Sequence, residues 1–298
     1  MKCPFLRESW VKFCQAAPYR KVIEQTAESA ADLCTSSAFQ ACAAFREHRK
    51  SQSTPPCPFL QESRAQVCSH DPSVRFVPCS DQVHSRCVTD NHRYCESYLA
   101  AAHRLPTATS ARGDVLNALP PDFFYTRNHM WLDVSAEHDC HIGLDGLLTR
   151  LLGRIDRLSF ITSQGEQCPS VVLTTHGMNI HLVFPNPMQI TCPNAQVRVD
   201  PERIQLDPYG AGWLFEGTEA QGTDIRSGLL SGNEARIWME HELHRITEVL
   251  NRRASSDGEH GSRLAADGGV PVEGAIKHLK RNEISHFFDE FFKNEEAM

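Results

Sequence analysis

The stretch DPYGAGWLFEG, residues 207–217, is where the reading of this chain begins. Pro208 with Gly210 and Gly212 spells a tight turn, and the apolar residues after it read as a strand leaving that turn. Upstream, SVVLTT (170–175) and NIHLVF (179–184) are short β-branched runs broken by Gly, Pro and Asn. The pattern predicts a mainly β domain over about residues 122–250. It closes with NEARIWMEHELHRITEVL (233–250), where Ile237, Trp238, Leu243, Ile246 and Leu250 share one helical face.

Polar stretches bound this domain. Residues 45–56 (FREHRKSQSTPP) and 104–121 (RLPTATSARGDVLNALPP) each end in Pro-Pro, and the Gly-rich residues 252–274 read as a flexible linker. Beyond it, Ile276, Leu279, Ile284, Phe287, Phe288 and Phe291 predict an amphipathic helix over 275–298. That face either docks on the chain's own domains or grips a partner protein. The chain has 298 residues, enough for two or three compact units. Its net charge of -7 argues against a nucleic-acid binder. No apolar run of about 20 residues is present to cross a membrane. The opening MKCPFLRESW lacks the basic-then-apolar layout of an export signal. Twelve cysteines then point to a reducing compartment, the cytoplasm, where thiols serve as metal ligands more often than as disulfides.

Eight of those cysteines repeat a framework. CPFLRESWVKFC (3–14) returns as CPFLQESRAQVC (57–68), and each phrase is followed by two cysteines with seven residues between them. Read in order, the quartets are Cys3, Cys14, Cys34, Cys42 and Cys57, Cys68, Cys79, Cys87, with middle spacers of nineteen and ten residues. Each suits a tetrahedral zinc site or an iron–sulfur cluster. The second copy adds the donors His84, His92 and Cys95. Pro4 and Pro58 suit a first helical turn, which makes Cys3 and Cys57 cap residues at a positive helix end that favours thiolates. A straight helix would, however, hold Cys3 and Cys14 roughly 16 Å apart, whereas thiolates on one zinc lie within about 4 Å. Either the segment bends or the two serve different sites. No CxxC knuckle occurs. Two Cys-rich modules, residues 1–50 and 57–103, are the expectation, with buried apolar thiols or redox-active disulfides as alternatives to metal.

FYTRNHMWLDV (124–134), HIGLDGLLTRLLGRIDRLSFI (141–161), DPYGAGWLFEG (207–217) and SGLLSGNEARIWMEHE (227–242) occur in that order. Together they resemble the glycine cleavage system H protein, a lipoyl-bearing shuttle, over about residues 122–250. The resemblance implies an α+β chain centred on a barrel-sandwich hybrid of antiparallel sheets. It also implies a lysine on a hairpin, to which lipoate is joined as an amide. Setting Pro185 on the proline that follows that hairpin puts the lysine near Gly177, in TTHGMNI. No lysine lies anywhere between Lys50 and Lys277, and the imidazole of His176 cannot form a stable lipoyl amide.

Other motifs are weaker. HELH (241–244) spaces its histidines three apart, where a zincin needs four, and reads as a solvated helix face. In HDCH (138–141), Cys140 and His141 point to opposite sides of a strand, which favours ordinary packing. The expected function is a non-enzymatic, H-protein-like scaffold without lipoate, carrying zinc or iron–sulfur in its cysteine modules and binding a protein partner. An iron–sulfur electron-transfer or redox-sensing protein and a true glycine-cleavage carrier are the alternatives.

Overall fold

The structure, a computed structural model, describes residues 2–16, 21–23, 33–48, 54–70, 75–76, 86–102, 116, 118–135, 138–162, 164–256, 271, 273–279 and 281–292. Two compact units divide it, Met1–His92 and Arg93–Met298, so the boundary falls inside the expected second module of residues 57–103.

The first unit is built on one four-stranded antiparallel sheet of order β2-β1-β3-β4. Its strands are β1 (Leu6–Cys14), β2 (Lys21–Ile23), β3 (Leu60–Cys68) and β4 (Arg75–Phe76), with a short helix α1 (Ala43–Glu47). The two CPFL phrases are therefore strands that pair with each other, from Leu6 opposite Cys68 to Cys14 opposite Leu60. They form one sheet where the sequence suggests two modules. Neither phrase is helical. Leu6 N–H donates to the Cys3 carbonyl at 3.1 Å and Leu60 N–H to that of Cys57 at 3.0 Å. Each Cys-Pro-Phe-Leu is thus a β-turn with proline second, and the proline φ that suits a helix start suits that turn equally well. Strand alternation follows: Val11 and Phe13 are buried, while Trp10 stands out under the Arg64 guanidinium.

The second unit starts with α2 (Glu96–Ala102) and then β5 (Phe124–Tyr125), β6 (Met130–Val134), β7 (Asp139–Leu144) and α3 (Gly146–Leu152). There follow β8 (Arg157–Phe160), β9 (Gly165–Gln167), β10 (Ser170–Thr175), β11 (Met178–Val183), β12 (Met188–Pro193), α4 (Ala195–Val199) and α5 (Glu202–Leu206). β13 (Phe215–Glu219), β14 (Leu230–Ser231), α6 (Gly232–Ser256) and α7 (Arg281–Phe291) complete it. A seven-stranded sheet runs β14-β5-β6-β7-β13-β12-β9 and a three-stranded sheet β11-β10-β8. Helices and antiparallel sheets are mixed, and neither sheet closes into a barrel among the described residues. No helix among those residues is long and apolar enough to cross a membrane.

The motifs quoted from the sequence meet at one place. Trp131 lies opposite Gly143, where any Cβ would overlap its indole, and its N–H donates to the carbonyls of Leu144 (2.9 Å) and Pro208 (3.0 Å). Gly146 N–H donates to the Tyr209 hydroxyl at 3.0 Å. Asp207 closes the DPYGAG turn, its carboxylate accepting from Ala211 N–H and its carbonyl from Gly212 N–H, each at 2.8 Å. Gly210 and Gly212 are needed for space and not for a left-handed backbone. A Cβ on Gly212 would sit 2.8 Å from both the Asp207 oxygen and Ile204 Cα.

Helix α6 extends four residues past Arg252 into the stretch read as linker, while residues 257–270 lie outside the described residues. On it Ile246 and Leu250 are buried as expected, but Ile237 is exposed. The aromatic tail docks on its own domain: Ile276, Phe287, Phe291 and Phe292 join the core cluster of Leu147 and Leu151. Gly274 N–H donates to the Arg150 carbonyl at 2.8 Å, fixing the approach to that site.

Beneath the tail lies a buried ion pair. His129 Nδ1 is 2.7 Å from Asp145 Oδ2, and neither side chain is exposed. The other Asp145 oxygen caps α3, accepting from Leu147 N–H at 3.0 Å and Leu148 N–H at 2.8 Å. His129 Nε2 lies 4.0 Å from Glu242, itself bonded to Arg245 at 2.9 Å. The rings of Trp238 and Phe292 flank the imidazole, each centred 5.0 Å away. Burial disfavours its charged form, but the carboxylates of Asp145 and Glu242 outweigh burial and raise the His129 pKa from 6.5 to about 9. A pKa raised on folding gives stability that is complete below 6.5 and is lost as pH rises through about 9. Urea unfolding should therefore show a loss of roughly 3 kcal/mol across that window. Asp145→Asn should abolish this slope and cost about 3–5 kcal/mol at the acidic end of it.

Candidate functional site

The hairpin of β10 and β11 carries the first site of interest. Thr175 pairs with Met178, leaving His176 and Gly177 as a two-residue turn with φ of 48° and 73°. Two left-handed residues in succession define a type I′ turn, which suits the right-handed twist of the flanking strands. A Cβ at Gly177 would meet nothing within 4 Å, so the tip is open on that side. His176 turns back, its Nε2 3.3 Å from the Leu152 carbonyl. Gly177, where the resemblance puts an acceptor lysine, is thus at a hairpin tip, and that tip holds no amine.

The cysteines of the first unit are redistributed by the pairing of β1 with β3. β1 alone spans roughly 26 Å at strand rise, so Cys3 and Cys14 stand at its opposite ends and cannot share one metal ion. Each end instead gathers residues of both copies. Cys57 N–H donates to the Cys34 carbonyl at 2.8 Å, and Gln15 N–H, beside Cys14, donates to the Phe59 carbonyl at 2.9 Å. The other end mirrors this: Cys3 N–H donates to the Cys87 carbonyl and Ser69 N–H, beside Cys68, to that of Phe5, each at 2.9 Å. The sheet therefore has an approximate two-fold relation between copies, with the leading cysteine of each copy exchanged onto the other.

This symmetry also corrects the alignment of the second copy. Cys87 does what Cys34 does, so Cys95 is the counterpart of Cys42. Both follow a five-residue 3₁₀ turn, Ser37–Ala41 in one case and Asp90–Tyr94 in the other, and both precede a short helix. Ser36 and Thr89 cap the matching turns, each accepting a backbone N–H at 3.3 Å. The spacers, nineteen residues after Cys14 and eighteen after Cys68, then differ by one residue only. Three cysteines at equal eight-residue steps (79, 87, 95) hid this, and the polar cap two residues after Cys34 and Cys87 was the available signal. Cys79 and His84 lie outside the described residues.

At the first corner Cys57 is buried with Phe39 and Phe45, and Cys34, Cys42 and Phe59 pack against them. Burial, and then the charges of Cys57, Cys14 and Cys42, push the Cys34 thiol up from its usual 9.0. No disulfide joins the described cysteines. Among the described residues no group of three or more His, Cys, Asp or Glu side chains is arranged to hold a metal ion. His92 has its Nδ1 2.7 Å from the Thr89 carbonyl.

In the second unit, HDCH is packing. Cys140 faces the main core and burial pushes its thiol up to about 12, while His141 stacks on Tyr94 with centroids 3.9 Å apart. Tyr94 donates to Asp133 at 2.6 Å, and Arg93 pairs with the same carboxylate. In HELH, His244 is exposed beside Glu248.

No family model matches the chain. The glycine cleavage system H protein of Corynebacterium aurimucosum is 30% identical over 107 residues, which are 33% of this chain and 81% of the relative. That of Halorhodospira halophila is 29% identical over 122 residues, 39% of this chain and 90% of the relative. A crystal structure of a glycine cleavage system H protein from Mycobacterium marinum is 23% identical, with 39% of this chain and 94% of that chain covered and a TM-score of 0.34.

Crowding at Gly212 against openness at Gly177 separates the two glycine positions by experiment. Gly212→Val should destabilise the domain by about 3 kcal/mol or more, since backbone and not a flexible side chain stands in the way. Gly177→Ala should cost only the left-handed strain of about 1–2 kcal/mol. Thermal or urea melts of the two variants should differ accordingly, and equal losses would refute this account of the tip.

Proposed function

The chain belongs to the glycine cleavage system H protein family, and from that premise we propose that it is a non-catalytic, H-protein-like adaptor that engages a protein partner without carrying lipoate. The observation that carries this reading is the hairpin tip. The type I′ turn supports the geometry of a presented residue, but the residues there are His176 and Gly177, and no lysine lies between Lys50 and Lys277. An amide to lipoate needs a primary amine, so no small shift of the register supplies an acceptor. What remains is the family's role of meeting other proteins, exercised in the cytoplasm through the surface of the second unit.

Covalent attachment gives the test. Produced in cells with an active lipoylation pathway, the protein should show an intact mass with no lipoyl addition. Lipoate found on any residue would return the chain to the carriers. Gly177→Lys places an amine at the open tip, and lipoylation of that variant would show that the acceptor alone is missing.

A further inference from the structure

The first unit holds a cluster of cysteines that the adaptor reading does not use. The strand pairing brings four cysteines from four separate segments to one corner of the sheet. Cys14 ends β1; Cys34 accepts the backbone of Cys57 at 2.8 Å; Cys42 precedes α1; and Cys57 opens the turn into β3, with Leu60 opposite Cys14. Cys57 is buried among phenylalanines, with Cys34 and Cys42 packed on the same cluster. The mirrored corner brings Cys3 to Cys87 and to the end of β3 at Cys68.

We propose that Cys14, Cys34, Cys42 and Cys57 form one tetrathiolate site for a thiophilic metal centre, with Cys57 supplied across the sheet by the second copy. Four soft sulfur donors suit a tetrahedral zinc ion or an iron–sulfur cluster and disfavour magnesium or calcium. The four thiols are not arranged around one point in this structure, so metal binding would have to draw them together. Each thiol releases its proton as its sulfur binds. The phenylalanine cluster buries Cys57 and partly covers Cys34 and Cys42. A metal so held would tie the end of β1, the turn before α1 and the start of the second copy into one brace.

The grouping differs from sequence order, and alkylation mapping decides between the two. Full-length protein, reduced and loaded with zinc chloride without oxygen, is treated with a cysteine alkylator, and the modified sites are located by peptide mass. Zinc should slow alkylation of Cys14, Cys34, Cys42 and Cys57 together by about tenfold or more relative to chelated protein. Cys57→Ser should then release Cys14, Cys34 and Cys42 while leaving Cys68 and Cys87 as they are. Release of Cys68 and Cys87 instead would overturn the exchanged site, and so would zinc that leaves the four thiols as reactive as chelator does. If Cys57→Ser exposes every cysteine by unfolding, Cys57→His, which keeps a ligand, restores protection of Cys14, Cys34 and Cys42 only if the site is real. A visible chromophore in anaerobically isolated protein, lost in Cys57→Ser, assigns the same thiolates to an iron–sulfur cluster; a colourless protected protein assigns them to zinc.

Discussion

The second unit depends on the ion pair between His129 and Asp145. Two fully buried charged groups cost several kcal/mol if left unpaired, so the segments that bear them are held at a fixed separation. One is the turn into β6, where His129 takes a left-handed φ of 64°; the other is the N-cap of α3. Asp145 N–H also donates to the His129 carbonyl at 3.0 Å, so backbone and side chains bond the same two residues. Everything above is arranged around this contact. Trp238 of α6 and Phe292 after α7 cover the imidazole, and Glu242 faces its far nitrogen. Of the four phenylalanines of the tail, Phe292 covers the imidazole and the others pack into the apolar core beside it.

The DPYGAG turn reads the same constraint from the other side. Tyr209 receives the N–H of Gly146, the first residue of α3, and the Pro208 carbonyl receives the Trp131 indole from β6. Three segments far apart in sequence are locked by hydrogen bonds that each bury a polar group with a partner. The hairpin of β10 and β11 is joined to this framework through its strands and through His176 at the Leu152 carbonyl, while the Gly177 side of its tip is open. Space on the Gly177 side of the tip means that a side chain there can change with little effect on the packing beneath it.

In the first unit the same logic is carried by duplication. A lone copy of the CPFL phrase offers one strand with both edges open. Two copies pair antiparallel over nine residues and satisfy each other's backbone. The symmetry axis places the leading cysteine of each copy beside the later cysteines of the other. A framework that looks like two modules in series is one structure in which neither half is complete.

The sequence by itself determined the second unit in outline. Turn residues at Pro208, Gly210 and Gly212, β-branched runs and the phase of the closing helix are local signals, and local sterics decide them. The missing lysine was equally legible, since a side chain's chemistry does not wait for a fold. The tertiary structure alone decided how the cysteines group, because proline at position two of CPFL fits a helix start and a β-turn alike, and only pairing with a distant strand chooses between them. It also decided that Gly212 is required by contact with Asp207 and Ile204, and that His129 and Asp145 meet. The cysteine grouping rests on strands paired across some fifty residues, and the Gly212 and His129 contacts on how neighbouring elements pack; hydrophobic period and turn chemistry carry no information about either.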